Sequence, residues 1–369
     1  MLSGDLFRYT ADENAPVTRL EKAFSAHLGV RFALAVSSCS AALFLAMKAL
    51  GLKRGAKVVI PAFTFAAVPS AVVQAECVPV LVEVGANYRI QLDDFASKVS
   101  TADAVLISHM RGHTSDMDEI LRLAESEGVP VIEDAAHSLG TLWGGRKIGT
   151  LGRVGCFSFQ SYKLLNSGEG GALVSDDPDL IARAVIMSGA YEHNWKKHPV
   201  LQDRCQKWQN RLPLYNTRMT NLSAVMVLAQ IHEIGRRVAD GRRNHDHVAE
   251  RLNASPYFEV PAPLPKEERA PDSIQFNLLG FSDDEALAFL DALADRGLGA
   301  QIFGLSRDNA RAYWNWKFLQ DVPELPMTRA MLMRACDVRL PARLTIADCE
   351  VIGEAICSAA HSVKHHQGA

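Results

Sequence analysis

Long apolar runs are missing from this 369-residue chain: nothing approaches the roughly 20 uninterrupted apolar residues of a membrane span. A surplus of positive charge is missing too. The chain has 39 Lys and Arg against 42 Asp and Glu, a formal net charge of -3. That gives no reason to expect nucleic acid or an anionic membrane as a partner. Paired cysteines are also lacking. The seven cysteines are odd in number, scattered and without a Cys-x-x-Cys, the pattern of reduced thiols in a cytoplasmic protein. The first residues, MLSGDLFRYTADENAP, hold no basic region followed by an apolar core, so no signal peptide is expected.

Several motifs of enzyme chemistry are absent as well. The glycines at 168–171 fit neither a dinucleotide fingerprint nor a P-loop. There is no Gly-x-Ser-x-Gly elbow. His109 and His113 are four apart, but the intervening Met-Arg-Gly is not a helical zinc site and no third ligand is evident. No metal is expected.

What is present is alternation. Thr18–Leu28 has helical apolar spacing and stops at Gly29. Strands are expected at Phe32–Val36, Lys57–Pro61, Val78–Val84, Ala104–Met110 and Val129–Asp134. Helices are expected between them at 41–50, 65–75, 93–99 and 115–127. Such alternation predicts a mainly parallel sheet covered on both faces, a three-layer α/β/α domain. Two β-rich segments, Gly155–Gln160 and Gly171–Ser175, follow without a helix between them. From Ser188 to Asn216 the chain is irregular and rich in Trp, His, Lys and Arg. A loop that long is usually functional, and Tyr191, His193, Trp195 and Lys196 are its candidates for shaping a substrate site. A helical pattern then runs from Asn221 to about Leu252, long enough to bridge two domains. Beyond Pro261, Pro263 and Pro265 the pattern predicts a small α+β domain: strands at 273–279 and 299–303, helices at 283–296 and 345–362. The division expected is 1–250 and 251–369, with His361, His365 and His366 in a frayed tail.

One stretch organises the rest: VIEDAAHSLGTLWGGRKIGTLGRVGCFSFQSYKLLNSGEGGALV, residues 131–174. An Asp ordinarily sits at the surface, but Val-Pro-Val-Ile before Glu133-Asp134 should bury this strand. Ligands of open α/β sheets bind at the carboxyl ends of strands. A lone lysine is ordinarily solvated, yet Lys163 follows Phe157, Phe159 and Tyr162 and precedes two leucines. Desolvation would lower its pKa and free its amine. An acid and an amine so placed suit pyridoxal phosphate: a carboxylate keeps the ring nitrogen protonated, and a lysine holds the aldehyde as an imine. The Ser37–Ser40 turn, between strand and helix, would offer backbone N–H groups to the phosphate, with hydroxyls from Ser40 and Ser158. Phe65 would stack on the ring, and Arg111 would either meet a carboxylate or phosphate or make a structural salt bridge.

Over nearly its whole length the chain resembles the DegT/DnrJ/StrS-type aminotransferases, pyridoxal-phosphate enzymes of fold type I that commonly aminate nucleotide-linked keto-sugars. The matching pieces are ALAVSSCSAAL (33–43), VVIPAFTFAA (58–67), DMDEI (116–120), VIEDAAHSLG (131–140), GCFSFQSYKLLNSGEGGALV (155–174) and YNTRMTNLSAV (215–225). The resemblance implies that Lys163 forms the imine, Asp134 partners the ring nitrogen, His137 lies beside the ring and Phe65 stacks on it. It implies Cys39, Ser40 and Ser158 at the phosphate. It also implies a homodimer in which Asn216 and Arg218 reach the neighbouring site. Members that dehydrate sugars carry histidine where this chain has Lys163, so transamination is the expected reaction. The amino donor would be glutamate or glutamine; the acceptor would be a keto-sugar or a cyclic polyol ketone. Cys39, Tyr162, Asn221 and the segment 109–114 depart from the family's usual residues. Two alternatives stand beside this: a regulatory or binding protein on the same scaffold, and elimination or decarboxylation of an amino acid.

Overall fold

The computed structural model describes residues 12–190 and 194–365. Helix α1 (Pro16–Leu28) ends where Gly29 takes the left-handed conformation, as helices commonly do. Then come β1 (Phe32–Val36), α2 (Cys39–Leu50), β2 (Lys57–Pro61), α3 (Ala67–Gln74), β3 (Val78–Val82), α4 (Leu92–Val99), β4 (Ala104–Ser108), α5 (Met117–Ser126) and β5 (Val131–Asp134). A small ribbon, β6 (Leu142–Trp143) and β7 (Arg146–Lys147), precedes β8 (Val154–Ser158), β9 (Gly171–Ser175) and α6 (Pro178–Met187).

The main sheet has the order β1-β9-β8-β5-β4-β2-β3. Only β9 runs against its neighbours; the other pairings are parallel. Its strands are short runs of Val, Ile, Leu and Ala because both faces are covered. Ile132, Leu106 and Cys156 face one core together with α2, α3 and α6. Val131, Val105 and Phe157 face a second core with α1, α4 and α5. This is the three-layer arrangement expected for fold type I.

The segment 188–216 is less irregular than its composition implies. It contains α7 (Gln202–Trp208) and short 3-10 turns. Trp195 is buried in the first core, and Lys197 makes a buried ion pair of 2.8 Å with Glu21. Trp208 donates to Asp179 on α6. Its aromatics therefore anchor the segment rather than reach for a ligand; Tyr191 and His193 lie outside the described residues. The single bridging helix is a second correction. Helix α8 (Asn221–Leu228) and α9 (Ile234–Asn253) are separated by a 3-10 turn at Ile231–Glu233.

Strands β10 (Phe258–Glu259), β12 (Ser273–Leu278), β13 (Ala300–Ile302) and β14 (Ala335–Arg339) form an antiparallel sheet in the order β10-β12-β14-β13. Between them, β11 (Glu267–Glu268) pairs back with β6. Helices α9, α10 (Asp283–Asp295) and α12 (Ile346–His365) cover the antiparallel sheet. Ser282 and Glu285 make a reciprocal cap at the start of α10. Helix α12 stays helical through His361 and His365, so those residues are not frayed, while His366 lies outside the described residues. Residues between β13 and α11 (Pro326–Leu332) send Phe303, Tyr313, Trp316 and Leu325 into the first core of the large sheet. This return of the C-terminal chain completes the cavity described next.

Candidate active site

Glu133 and Asp134 end β5 on opposite faces of the sheet, as alternation requires. Asp134 faces α2. One carboxylate oxygen accepts from the Ser108 hydroxyl at 2.7 Å, and Thr64 donates in turn to Ser108 at 2.8 Å. The other accepts from the Ala136 amide at 3.1 Å and from the Cys39 thiol at 3.7 Å. Ser108 is the cross-strand partner of Asp134, so register alone brings these groups together. Burial, with Asp134 next, pushes the Cys39 thiol well above its ordinary pKa; it is a neutral donor here.

Lys163 lies in the loop between β8 and β9. Arg237 donates to the Leu164 carbonyl at 2.6 Å, and Gln230 donates to the Asn166 carbonyl at 2.6 Å. These pin the loop just past the lysine, and Arg339 pins it just before by donating to the Tyr162 carbonyl at 3.1 Å. Nζ of Lys163 is 2.9 Å from Nε2 of His137. Burial pushes the amine from 10.5 to about 8, against the opposing pull of Asp272 and Asp134. Burial, then Lys163 and the arginines 111, 311 and 339, push His137 well below the usual imidazole range. It is a neutral ring at pH 7. Its Nδ1 is buried and finds no hydrogen-bond partner among the described residues.

Helix α2 begins beside the same cavity. Ser38 caps it by accepting from the Ala41 amide at 3.0 Å. The first amides of a helix have no intrahelical acceptor, and those of Cys39 and Ser40 find none elsewhere among the described residues. Gly171, the first residue of β9, lies so close that an added Cβ would stand 2.4 Å from the Ser38 carbonyl carbon and 2.5 Å from the Cys39 nitrogen. Only glycine permits that approach.

These parts enclose a cavity of about 530 Å³, within the range of roughly 300–1,000 Å³ typical of small-molecule sites. Cys39, Ser40, Phe65, Asp134, His137, Ser158 and Lys163 all line it. Asn216 and Arg218 do not. They lie on the segment that pairs with the end of β1, where Thr217 accepts from the Ser37 amide, and Arg218 donates to the Gly189 carbonyl at 2.6 Å. No described residue of 188–216 lines the cavity. Tyr162, expected in an apolar setting, is 70% exposed. Arg111 lines the cavity while making a buried ion pair with Asp337. His109 pairs with Glu133 at 3.1 Å and His113 with Gln275 at 3.0 Å.

Gln160, Glu169, Arg311 and Arg339 line the cavity without having been singled out in the sequence. Gln160 and Glu169 flank Lys163 within its own loop. Arg339 ends β14 and is held by Asp272 at 3.0 Å and by the Tyr162 carbonyl at 3.1 Å. Arg311 arrives on the returning chain, and nothing local in the sequence marks it.

The model of the DegT/DnrJ/EryC1/StrS aminotransferase family matches residues 10–357. The chain is 30% identical over 304 residues to 3-amino-5-hydroxybenzoate synthase of Amycolatopsis mediterranei, covering 80% of this chain and 75% of that one. It is 34% identical over 220 residues to GDP-perosamine synthase of Vibrio cholerae, covering 59% of this chain and 57% of that one. Thus it spans only a little over half the length of the second relative. The crystal structure of 3-amino-5-hydroxybenzoic acid synthase superimposes with a TM-score of 0.83 at 25% identity, covering 94% of this chain and 91% of the other. The chain belongs to the DegT/DnrJ/EryC1/StrS aminotransferase family, whose members work with pyridoxal phosphate, and is an aminotransferase of that kind.

Proposed function

We propose that this enzyme moves an amino group from glutamate or glutamine to a nucleotide-linked keto-sugar or a cyclic polyol ketone, with Lys163 as the residue that binds the cofactor covalently. One observation carries the reading: the Lys163 amine stands 2.9 Å from a neutral His137, in a cavity that also holds the Asp134 carboxylate. The residues fit the cofactor. The orphaned His137 Nδ1 needs a polar partner, the open amides of Cys39 and Ser40 suit a phosphate, and Phe65 gives an aromatic face.

When bound, pyridoxal phosphate supplies an aldehyde and a ring that spreads negative charge. The protein supplies the rest. Asp134 presents a negative charge, fixed by Ser108 and Ala136, to a ring nitrogen. Lys163, with its pKa near 8, takes a proton from the donor's α-carbon and returns one to the product. Because it is part-charged and part-neutral near neutrality, it serves in both directions. Ser40 and Ser158 hold the phosphate. The two relatives above are named for an amino sugar and an aminobenzoate, which supports a cyclic ketone as acceptor.

We place Asn216 and Arg218 in the neighbouring site of a homodimer. Leu214, Leu222, Val225 and Met226, each at least 40% exposed, give that stretch an apolar face suited to a second copy. Residues 1–250 serve as the cofactor-binding domain and 251–369 as the smaller one. Seven free thiols support a reducing, cytoplasmic setting. No helix among the described residues is long and apolar enough to cross a membrane.

The test is spectroscopic. Purified protein with cofactor should show the absorption of a lysine-bound cofactor, and glutamate or glutamine should bleach it. A spectrum unmoved by every plausible donor sinks the reading. Lys163→Ala should lose that band and turn over roughly 10²–10⁴-fold more slowly; full activity would refute the assignment.

A further inference from the structure

Three arginines line the cavity, and they differ in how their charge is answered. Arg111 is ion-paired with Asp337, which also accepts from Gln275 and Gln301. Arg339 is ion-paired with Asp272. Arg311 has no carboxylate: among the described residues no ion pair reaches it, and its buried Nε has no hydrogen-bond partner. Its guanidinium instead lies 5.5 Å from the Phe65 ring centre and 5.6 Å from that of Phe303. Aromatic faces attract a cation but satisfy none of its N–H donors.

The placement is rigid. The Ala310 carbonyl accepts from the Ala66 amide at 3.0 Å and from the Trp316 indole at 2.9 Å. The Arg311 amide donates to Asn309 at 3.0 Å. Trp316 is itself buried. Arg311 is therefore fastened beside Phe65 by the main chain on one side and a buried indole on the other. A half-buried cation with open donors is costly unless an anion answers it. Burial, then crowding by Arg111, pushes its pKa down to about 10 against the pull of Asp337, whose carboxylate is already taken by Arg111, so it is still charged at neutral pH. The open amides of α2 provide separately for a cofactor phosphate, so Arg311 is left for a different anion.

Resting on the aminotransferase reading, we propose that Arg311 is the handle for an oxyanion carried by the substrate. The guanidinium would grip a carboxylate or phosphate in the planar geometry that arginine favours. The enzyme would then prefer an anionic substrate over its neutral isostere. The donor's carboxylate and an acidic group on the acceptor share this chemistry, and the experiment separates them.

Calorimetry on the cofactor-loaded protein would compare glutarate, benzoate and inorganic phosphate with glutaramide and benzamide. At least one anion should bind the wild type, and the amides should not. Arg311→Gln should weaken that anion about 10- to 100-fold, and Arg311→Lys should restore part of the loss. If the half-saturation for glutamate in the bleaching reaction rises equally, the handle serves the donor. If the donor step is unchanged while anion binding to the pyridoxamine-loaded protein falls, it serves the acceptor. Equal anion affinity in wild type and Arg311→Gln, with both folded by circular dichroism, overturns the proposal while leaving the aminotransferase reading intact. Absence of a lysine-bound cofactor band overturns that reading instead, and the same anion titration run on the cofactor-free wild type and Arg311→Gln then reports on Arg311.

Discussion

Two adjacent acids, Glu133 and Asp134, sit at the end of one strand and show what separates architecture from a site. Glu133, wholly buried, accepts from three amides, those of Gly149, Leu151 and Gly152, at 2.6–2.8 Å, and faces His109 at 3.1 Å. Burial pushes its pKa up, but His109 and the amides prevail and hold it below the usual carboxylate value. Every oxygen is answered from within the chain. Across the sheet, the cluster around Asp134 ends in a lysine with a lowered pKa, a histidine nitrogen without a partner and an arginine without a carboxylate. The Glu133 carboxylate is fully answered, and the one open atom beside it, His109 Nδ1, faces no cavity; the open groups around Asp134 line one, which leaves them to a ligand.

The largest effect should come from breaking the closed cluster. Glu133→Ala leaves three amides and His109 without an acceptor, and should cost about 3–5 kcal/mol of stability, read as a lower urea midpoint at unchanged slope. Asp134→Asn should do the opposite. It keeps the shape and most hydrogen bonds, so the midpoint should hardly move while turnover falls roughly 10²–10³-fold, as when a fixed polar group at a reacting centre is lost. If Asp134→Asn unfolds the protein and Glu133→Ala merely slows it, the comparison is wrong.

Much of this was legible beforehand, for a physical reason. Strands β1, β2 and β9 fall on the residues expected for them, each built around an apolar run, because a strand buried on both faces tolerates little else. Cys39, Phe65, Asp134, His137 and Lys163 each lie at a strand's carboxyl end or within a few residues past it, so reading the sheet locates them together. Strand β14 was missed: Ala-Cys-Asp-Val-Arg has no apolar run, since Asp337 is buried against Arg111 and Arg339 points into the cavity's edge region. Arg311 was missed because its position depends on Ala310 meeting Ala66, a contact that spans more than two hundred residues. Trp195 was misread because aromatics in an irregular stretch suggest a ligand, whereas here they seat the stretch on the core.

A smaller effect sharpens the comparison by pH. The folded pKa of Lys163, about 8, lies below its ordinary 10.5. Between those values the unfolded chain retains a proton that the folded chain has released. Stability of the cofactor-free protein should therefore rise with pH across that window, by up to about 1.4 kcal/mol per unit, and Lys163→Met should flatten the rise. Glu133, whose pKa is also lowered on folding, gives the same sign in a lower window: its contribution is present near neutrality and is lost in acid as the carboxylate protonates. The smallest effect should be Ser108→Ala. Losing its hydrogen bond to Asp134 should cost about 1 kcal/mol and slow turnover a few-fold, measured by thermal melt and initial rates.

The contact of Gly171 with the Ser38–Cys39 backbone has a consequence for how such an enzyme diversifies. One wall of the cavity is made of main chain against main chain, where no side chain can be exchanged without forcing the helix away. Another part of the lining is made of exchangeable arginines, Arg311 and Arg339, brought in from the far end of the chain. Descendants of this fold are therefore free to trade partners for new ketones while the seat of the vitamin is handed down unaltered.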